Sequence, residues 1–277
     1  MQIIIPLSGV GQRFINAGYT TPKPLIEVDG FPIIQHVVNL FPNEKNITFI
    51  CNDHHLKNTN MHEILMNIAP TCKIVEVSVK NRKGPVHAVS QAYNIINDDE
   101  EVIVSYCDYG TWWNYKDFID TVHNTNADGA IPAYIGFHPH MLGSDNYAFM
   151  QHNNMWVNAI QEKKPFTNNK MNEYASNGAY YFKSGAIMKK YFNELMNRDI
   201  QINGEFYVSM VYNLLIEDKL KVLVYEIDNM LQWGTPYDLD IYNMWSSYFK
   251  NKMIKMNTFK DTKNTHTILP MAGRGNR

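Results

Sequence analysis

The hydrophobic positions in the first half of the chain form short apolar runs that alternate with segments of helical spacing. The runs predict strands at Gln2 to Leu7, Ile47 to Cys51, Lys73 to Val79 and Val102 to Tyr106. Helical spacing predicts helices at Pro32 to Phe41, from a cap at Asn52 or Asp53 through Ile68, and at Val86 to Ile96. Strands and helices that alternate in this way indicate βαβ units and a mainly parallel sheet, covered by helices on both faces.

The second half of the chain is less regular and richer in strands. Its pattern predicts strands at Asp128 to Ile135, Tyr147 to Met150, Trp156 to Gln161, Tyr174 to Lys183 and Lys221 to Ile227. Helices are predicted at Ser184 to Asn197, Glu205 to Glu217 and Pro236 to Phe249. Since no Pro-, Gly- or Ser-rich linker divides the halves, residues 1–249 are predicted to form one continuous α/β domain with a β-rich part.

The end of the chain has a different character. Residues 250–267 are rich in Lys, Asn and Thr and lack a core-forming pattern, which predicts a polar linker. Residues 268–277 then repeat the spacing of the first Gly-rich segment, with Pro270, Gly273, Gly275 and Arg277 arranged as Pro6, Gly9, Gly11 and Arg13. We interpret these residues as the start of a truncated second module of the same kind in a tandem protein, with a chance match in a tail as the alternative.

The composition excludes several classes of protein. Of the 277 residues, 45% are hydrophobic and 19% are charged, which is too apolar for a disordered chain. The net charge of −2 argues against a strongly basic nucleic-acid binder, and no apolar run reaches the roughly 20 residues of a bilayer span. The three cysteines are widely spaced and the N-terminus has no basic leader, so we expect a protein of the reducing cytoplasm.

Candidate chemistry begins directly after the first strand, at residues 8–13, Ser-Gly-Val-Gly-Gln-Arg. Glycines at this place let backbone N–H groups approach phosphate oxygens. No Gly-Lys-Ser/Thr follows, which excludes a P-loop. Phe14 stands at the third glycine position and a polar loop is expected after it, so a dinucleotide fingerprint fits poorly. Arg13 and Lys23 supply cations, and the prolines on both sides of Lys23 restrict its backbone.

These motifs resemble the N-terminal signature of the sugar-phosphate nucleotidyltransferases, in which Gly-x-Gly-x-Arg follows a strand and Pro-Lys-Pro-Leu precedes a helix. Both occur here in that order, within residues 6–13 and 21–34. The resemblance implies a Rossmann-like α/β fold, with a mainly parallel or mixed central sheet flanked by helices and a β-rich part that binds the acceptor. It also implies an enzyme that transfers NMP from an NTP to a phosphorylated sugar or polyol and releases pyrophosphate, for instance in nucleotide-sugar biosynthesis for a polysaccharide or capsule.

The resemblance further implies roles for individual residues. Arg13 would hold the phosphates and Lys23 would contact the reacting α-phosphate or the incoming phosphate, which makes these two the candidate catalytic residues. The implied nucleotide-binding residues are Leu7, Ser8, Gly9, Gly11, Gly84 and Pro85. Gly84 and Pro85 open a predicted helix, so a plain helix start with proline in its first turn is the alternative for that pair.

A carboxylate, Asp108, follows the fourth predicted strand. In open α/β sheets ligands bind beyond the carboxyl ends of the strands, and a carboxylate there can hold Mg²⁺ together with substrate phosphates. The resemblance implies Asp108 as a metal ligand and Mg²⁺ as the cofactor, and a helix-capping aspartate is the alternative. The position of a second metal carboxylate in many members of the family is Gln232 here. Either Asp108 acts with water and phosphates alone, or another acid such as Asp228 substitutes.

Two further segments resemble the acceptor side of the family's site. One resembles Glu-Lys-Pro, whose Glu contacts sugar hydroxyls and whose Lys contacts the sugar phosphate. Here Glu162 matches the first role, and the doubled lysine leaves Lys163 and Lys164 as candidates for the second. A solvated charged turn is the alternative. In the other segment Asn177 and Gly178 match positions that line the sugar pocket.

Two other functions stay open at this point. A metal-dependent glycosyltransferase would consume an NDP-sugar, but Tyr109-Gly110 follows Asp108 and no Asp-x-Asp motif is completed. A catalytically weak nucleotide- or sugar-sensing module would keep the pocket and lack the second carboxylate. The expected partners are an NTP and a phosphorylated sugar or polyol, with no nucleic acid and no membrane. The nucleobase, the acceptor and the oligomeric state, including a homo-oligomer, stay open.

Overall fold

The structure is a computed structural model that describes residues 1–80 and 82–258, without the side chains of 252–258. The strands are β1 (Gln2–Leu7), β2 (Glu27–Val28), β3 (Phe31–Pro32), β4 (Asn46–Asn52), β5 (Lys73–Val77), β6 (Val102–Ser105), β7 (Tyr109–Trp112), β8 (Gly129–Tyr134), β9 (Ala148–Asn153), β10 (Trp156–Glu162), β11 (Tyr174–Ser176), β12 (Ala179–Phe182), β13 (Val222–Glu226) and β14 (Asn229–Gln232). The helices are α1 (Gln12–Asn16), α2 (Ile33–Val38), α3 (Asp53–Asn58), α4 (Met61–Ile68), α5 (Pro85–Ser90), α6 (Tyr115–Thr125), α7 (Gly185–Asn197), α8 (Val208–Glu217) and α9 (Pro236–Thr258).

One mixed sheet carries the fold. Within the described residues it has ten strands in the order β11-β9-β10-β13-β8-β12-β6-β1-β4-β5. The half formed by β6, β1, β4 and β5 is parallel. Beyond it β12 runs antiparallel to β6 and β8, β13 is parallel to β8, and β10, β9 and β11 continue antiparallel. The predicted α/β class with a mixed sheet flanked by helices is confirmed.

Helices cover both faces of the sheet because successive strand residues point to opposite sides. Ile3 and Ile5 belong to one core cluster, whereas Ile4 between them belongs to the other. The first cluster includes apolar residues of α2 and α6, and the second includes those of α5, α7 and α8. No helix in the described residues is long and apolar enough to cross a bilayer.

The helix predicted to run through Ile68 is divided in two. Asn52 is its cap, as one of the two predicted candidates, and its Oδ1 accepts from His55 N at 2.7 Å. The division comes at Thr59, whose hydroxyl donates to His55 O at 2.7 Å and accepts from Met61 N at 3.3 Å. This side chain ends α3 and satisfies an N–H at the start of α4. Threonine hydroxyls commonly compete in this way with the backbone hydrogen bonds of a helix.

The strand predicted at Tyr174 to Lys183 is also divided. Asn177 and Gly178 lie between β11 and β12, with Gly178 at φ +101°, a conformation that favours glycine. Asn177 Oδ1 accepts from Ala179 N at 2.9 Å and closes the turn. As a result β11 pairs with β8 and β9, whereas β12 pairs with β6 and β8, and the break lies at the edge where β6 ends.

Several elements differ from the sequence prediction in kind or extent, among them helix α6 and the β2–β3 pair, which were not predicted. The short helix α1 occupies the segment for which a polar loop was expected, and the small β7–β14 sheet was not predicted. α9 runs past Phe249 to Thr258, into the segment predicted as linker. Hydrogen bonds from Tyr242, Ser246 and Lys250 to the Asp29 carboxylate hold one face of this helix in place. The rest of the predicted linker and the repeated motif at 268–277 lie outside the described residues.

Gly185 at the start of α7 is required by packing, because a β-carbon there would lie 2.1 Å from the backbone oxygen of Asn97. We expect Gly185→Ala to lower the free energy of unfolding, measured by urea denaturation, by about 3 kcal/mol. The backbone oxygen of Asn97 cannot move away from the added methyl group as the end of a flexible side chain could. The control is Gly143→Ala, whose β-carbon would meet only His140 O at 3.3 Å, with an expected loss below about 1 kcal/mol. Equal losses in both variants would contradict this account.

Candidate active site

A cavity lies at the sheet edge where β1 and β6 end and β12 begins. The chain leaves β1 toward β4 on one side and returns to form β6 on the other, so the loops after β1 and β6 diverge and leave a crevice. The cavity has a volume of about 600 Å³. Of the residues predicted for the site, those that line it are Leu7, Ser8, Gly9, Gly11, Arg13, Lys23, Gly84, Pro85, Asp108, Glu162, Lys163, Asn177 and Gly178.

The Gly-rich loop and the segment of Lys23 are packed closely together. Gly11 adopts φ +71°, and a β-carbon there would lie 3.4 Å from Lys23 Cβ. Glycine therefore allows the loop after β1 to fold over the proline-flanked turn that begins at Lys23. The exposed Arg13 side chain extends across the cavity mouth, where its Nη2 donates to Asn146 Oδ1 at 3.3 Å.

An ion pair joins the two central groups of the site. Lys23 Nζ donates to Asp108 Oδ2 at 2.8 Å, and the two side chains are 21% and 24% exposed. Burial alone would lower the pKa of Lys23, but the Asp108 charge and hydrogen bond, with a contribution from Cys107, outweigh it and raise that pKa. Lys23 is therefore held as a cation beside the end of β6.

The amide of Gln232 lies next to the Asp108 carboxylate. β14 pairs with β7 so that Gln232 is opposite Tyr109, and Trp233 N donates to Asp108 O at 3.1 Å. A β-carbon on Gly234 would lie 2.9 Å from Asp108 Oδ2 and 3.3 Å from Gln232 Nε2. The position expected for a second metal ligand thus adjoins the first one, although it carries an amide.

Asp228 is not the substitute acid that the sequence suggested. It is exposed and immediately precedes Asn229, which pairs with Trp112 at the opposite end of β14 from Gln232. The acid that the structure brings near the site is Asp238, which lines a neighbouring cavity together with Arg13. Burial raises the pKa of Asp238, with Asp108 adding to the rise and a hydrogen bond from Thr235 Oγ1 (2.7 Å) opposing it.

The donor set fits a divalent cation that is shared with substrate. No group of three or more His, Cys, Asp or Glu side chains in residues 1–80 and 82–251 could hold a metal by itself. The Asp108 carboxylate is a hard oxygen donor, and Mg²⁺ commonly binds through one or two carboxylates plus phosphates. The Gln232 amide presents its Nε2 on this side and would have to turn its Oε1 toward the ion to ligate it. Asp108, with Gln232 beside it, would hold such an ion.

Glu162 and Lys163 form one wall of the cavity. Glu162 is buried at the end of β10 and its Oε2 accepts from Ser209 Oγ at 2.6 Å. Burial raises its pKa, and Ser209 and Lys163 partly oppose that rise. Lys163 follows at φ +59° and lines the cavity, whereas Lys164 is exposed and is not among the lining residues. Of the two lysines that the sequence left open, only Lys163 lies in position to reach a ligand here.

Asn177 presents an unused donor to the same cavity. The residue is buried, its Oδ1 is used in the turn, and its Nδ2 has no hydrogen-bond partner within the described part of the chain. Buried donors in proteins are nearly always paired, so this N–H is suited to an oxygen of a bound ligand. Beside it Gly178 O accepts from Tyr106 N at 2.8 Å, which joins β12 to the loop before Asp108.

The Gly84 turn is joined to a segment that the sequence reasoning missed. Gly84 adopts φ +90°, and a β-carbon there would lie 2.7 Å from Phe206 N. Phe206 N donates to Lys83 O at 2.8 Å, so glycine is needed for the close approach. The flanking residues Glu205 and Tyr207 line the cavity. No motif marked them, because their contact with the site depends on a pairing more than 100 residues along the chain.

The pKa of Lys23 offers a direct test of the central ion pair. We expect Asp108→Asn to lower it below the ordinary value of 10.5, because burial would then outweigh the remaining attractions. In the wild-type chain the pKa is raised, so the contribution of the pair to stability is fully present below pH 10.5 and is lost as the pH rises through the folded-state value. NMR titration of the Lys23 side chain measures its pKa in the wild-type chain and in Asp108→Asn.

The control for this titration is the ion pair of Lys189 with Asp98. Its Nζ–Oδ1 distance of 2.7 Å and its 19% exposed lysine are close to the 2.8 Å and 21% of the Lys23–Asp108 pair. Asp98→Asn removes an equivalent acid elsewhere on the molecule and should leave the Lys23 pKa unchanged. A Lys23 pKa that stays raised in Asp108→Asn would show that other groups hold its charge.

Comparison with solved structures shows the same fold. A nucleoside-diphosphate-sugar pyrophosphorylase from Vibrio cholerae aligns with 21% identity over 88% of this chain and 100% of its own, with a TM-score of 0.70. The inositol-1-phosphate CTP transferase from T. maritima aligns with 14% identity over 88% of this chain and 94% of its own (TM-score 0.65). A UDP-glucose pyrophosphorylase from Acinetobacter baumanii aligns with 16% identity over 92% and 99% of the two chains (TM-score 0.65).

The sequence itself carries the family assignment. The family model described as nucleotidyl transferase matches residues 3–212, which begin in β1 and end in α8. That stretch includes the Gly-rich loop, the Lys23–Asp108 pair and the wall formed by Glu162 and Lys163. The chain belongs to the nucleotidyl transferase family.

Proposed function

We propose that the chain transfers NMP from an NTP to the phosphate of a sugar phosphate, or of a polyol or alcohol phosphate, and releases pyrophosphate. The observation that carries this proposal is the single cavity in which a glycine loop and Lys23 lie on one side and Glu162, Lys163 and Asn177 lie on the other. Family membership supports the general reaction. A product such as an NDP-sugar would suit a precursor pathway for a polysaccharide or capsule.

The reaction needs alignment and cations more than covalent help. An oxygen of the acceptor phosphate attacks the α-phosphorus, the bond from that phosphorus to the bridging α–β oxygen breaks, and pyrophosphate leaves with the electron pair. Because negative charge accumulates on the phosphoryl oxygens, cations fixed beforehand stabilise the transition state. Lys23 would serve the α-phosphate and Arg13 the departing phosphates, while Glu162 and Asn177 would orient acceptor hydroxyls.

We further propose Mg²⁺ as the cofactor, held by Asp108 with Gln232 beside it. When bound, the ion neutralises charge on the phosphate oxygens. Lys23 already neutralises Asp108 in the described structure. The charge that attracts the ion must therefore come largely from the substrate, and Lys23 becomes free to turn toward phosphate.

The test of the proposed function is release of pyrophosphate in the presence of Mg²⁺. The four ribonucleoside triphosphates and dTTP are each combined with a panel of sugar phosphates and polyol phosphates. Release that depends on one NTP together with one acceptor phosphate is the expected result. Release of a nucleoside diphosphate from an NDP-sugar, without pyrophosphate, would instead indicate a glycosyltransferase. Nucleotide binding with no turnover across the panel would favour a sensing module.

Lys23→Ala is expected to lower kcat about 100- to 1000-fold, since a preorganised cation at the reacting phosphate is lost. The measurement is steady-state pyrophosphate release at saturating substrates. Lys189→Ala removes a lysine of similar exposure from an ion pair on α7 and should keep the wild-type rate. Near-normal turnover of Lys23→Ala would remove Lys23 from the mechanism.

Gln232→Asp is expected to lower the Mg²⁺ concentration for half-maximal rate about tenfold, because a second carboxylate replaces a neutral amide beside Asp108. Binding of Mn²⁺ to the substrate-free protein, measured by calorimetry, should tighten in parallel. Asn229→Asp adds the same charge at the far end of β14 and serves as the control. Equal effects of the two variants would mean that only the overall charge matters, and no effect would mean that Gln232 lies outside the metal site.

A further inference from the structure

Three side chains at the cavity wall form a connected chain of hydrogen bonds. Lys163 Nζ donates to the Tyr207 hydroxyl and lies 4.3 Å from the centroid of the Tyr207 ring. The same hydroxyl donates to Glu205 Oε2 at 2.6 Å. All three residues line the cavity, and only Lys163 was expected from the sequence to act there. A hydroxyl that donates to a carboxylate turns a lone pair toward the ammonium, so the two hydrogen bonds support each other.

The backbone of each partner is held independently. Lys163 N donates to Tyr147 O at 2.8 Å. Phe206, between Glu205 and Tyr207, is 4% exposed and exchanges backbone hydrogen bonds with the Gly84 turn, to Lys83 O (2.8 Å) and from Val86 N (3.2 Å). Tyr207 is therefore fixed to the nucleotide side of the cavity while its hydroxyl holds a lysine on the acceptor side.

The two cavity lysines differ in what holds them. Lys23 is paired with a carboxylate, which neutralises its charge. Lys163 has no carboxylate within ion-pair distance among the residues that the structure describes, and its immediate partner is a neutral hydroxyl above an aromatic ring. A neutral partner orients an ammonium and leaves its charge available, and the ring face adds attraction of its own. A free lysine side chain would lose much conformational entropy on capturing a ligand, so orientation beforehand favours binding.

We propose that Tyr207, with Glu205 behind its hydroxyl, is the positioning residue that holds the Lys163 ammonium for the acceptor phosphate. The inference rests on the proposed function and deepens it. Tyr207 acts through Lys163 and does not bind the acceptor itself. The consequence is specific, because loss of the hydroxyl should weaken the acceptor and leave the nucleotide unaffected.

The test is a double-mutant cycle on the full chain with the NTP and acceptor that the pyrophosphate assay identifies. Tyr207→Phe keeps the ring and removes the hydroxyl. We expect the KM for the acceptor to rise about tenfold, which corresponds to the loss of one hydrogen bond to a charged group, with kcat and the KM for NTP within about twofold of wild type. Lys163→Met should raise the acceptor KM by at least as much. In the Lys163→Met background, Tyr207→Phe should add nothing, because the group that it positions is gone.

The chain supplies a matched control. On α7 and α8, Lys190 Nζ donates to Tyr191 OH at 3.1 Å and lies 4.4 Å from its ring centroid, and Tyr191 OH donates to Asp218 Oδ2 at 2.7 Å. Here Lys190 also pairs directly with Asp218, at 3.0 Å, and none of the three lines the cavity. Tyr191→Phe makes the same chemical change away from the site and should leave every kinetic constant unchanged.

Each outcome decides the inference. An unchanged acceptor KM in Tyr207→Phe, or equal rises in the KM for acceptor and for NTP, overturns it while the proposed function stands. Additive effects in the double variant overturn it too, since Tyr207 would then contact the acceptor directly. A wild-type chain that releases no pyrophosphate with any acceptor overturns the proposed function and the inference together. Thermal unfolding of Tyr207→Phe beside Tyr191→Phe identifies any loss of folding.

Discussion

The ion pair of Lys23 with Asp108 is the interaction on which the rest of the cavity depends. It links the loop after β1 to the loop after β6, two segments that leave the sheet in different directions. Each partner is about three-quarters buried, so either charge alone would be costly to keep in the fold. Together they satisfy one another and hold the two sides of the crevice at a fixed separation. Gly234 lies against the pair, since a β-carbon there would lie 2.9 Å from Asp108 Oδ2, and Gly11 allows the loop to reach Lys23 through its φ of +71°.

The cavity balances its charges in two different ways. On the side proposed for the nucleotide Lys23 is neutralised by Asp108, and its attraction for phosphate would be released when Asp108 pairs with another cation. On the acceptor side Lys163 is oriented by the Tyr207 hydroxyl and stays charged. Burial raises the pKa of Glu162, and the hydrogen bond from Ser209 and the charge of Lys163 oppose that rise. In the proposed reaction a dianionic phosphate would therefore meet an available cation on the acceptor side, and a triphosphate would meet one that must first exchange partners.

Most of the residues singled out in the sequence line one cavity, whereas several of the elements around that cavity were not predicted. The loop after β1 and the carboxylate after β6 could be foreseen, because parallel strands that end at one edge bring their following residues together. Glu162, at the end of the antiparallel β10, was implied only by the family resemblance. The break at Asn177–Gly178 could not, because local β-propensity favours one continuous strand and only pairing with two different neighbours divides it. Glu205 and Tyr207 were missed for a similar reason. Their segment has no motif, and its contact with the Gly84 turn is set by tertiary packing.

Gln232 shows how a single departure from a motif changes the physics of a site. A carboxylate there would leave two acids facing one lysine, and the surplus negative charge would attract a divalent cation before any substrate arrived. With an amide, Asp108 and Lys23 balance each other and the empty site has little net charge. Attraction for the proposed Mg²⁺ would then develop together with the charge of the triphosphate. Asp238 lines the neighbouring cavity, where burial raises its pKa and its carboxylate accepts a hydrogen bond from Thr235 at the start of α9.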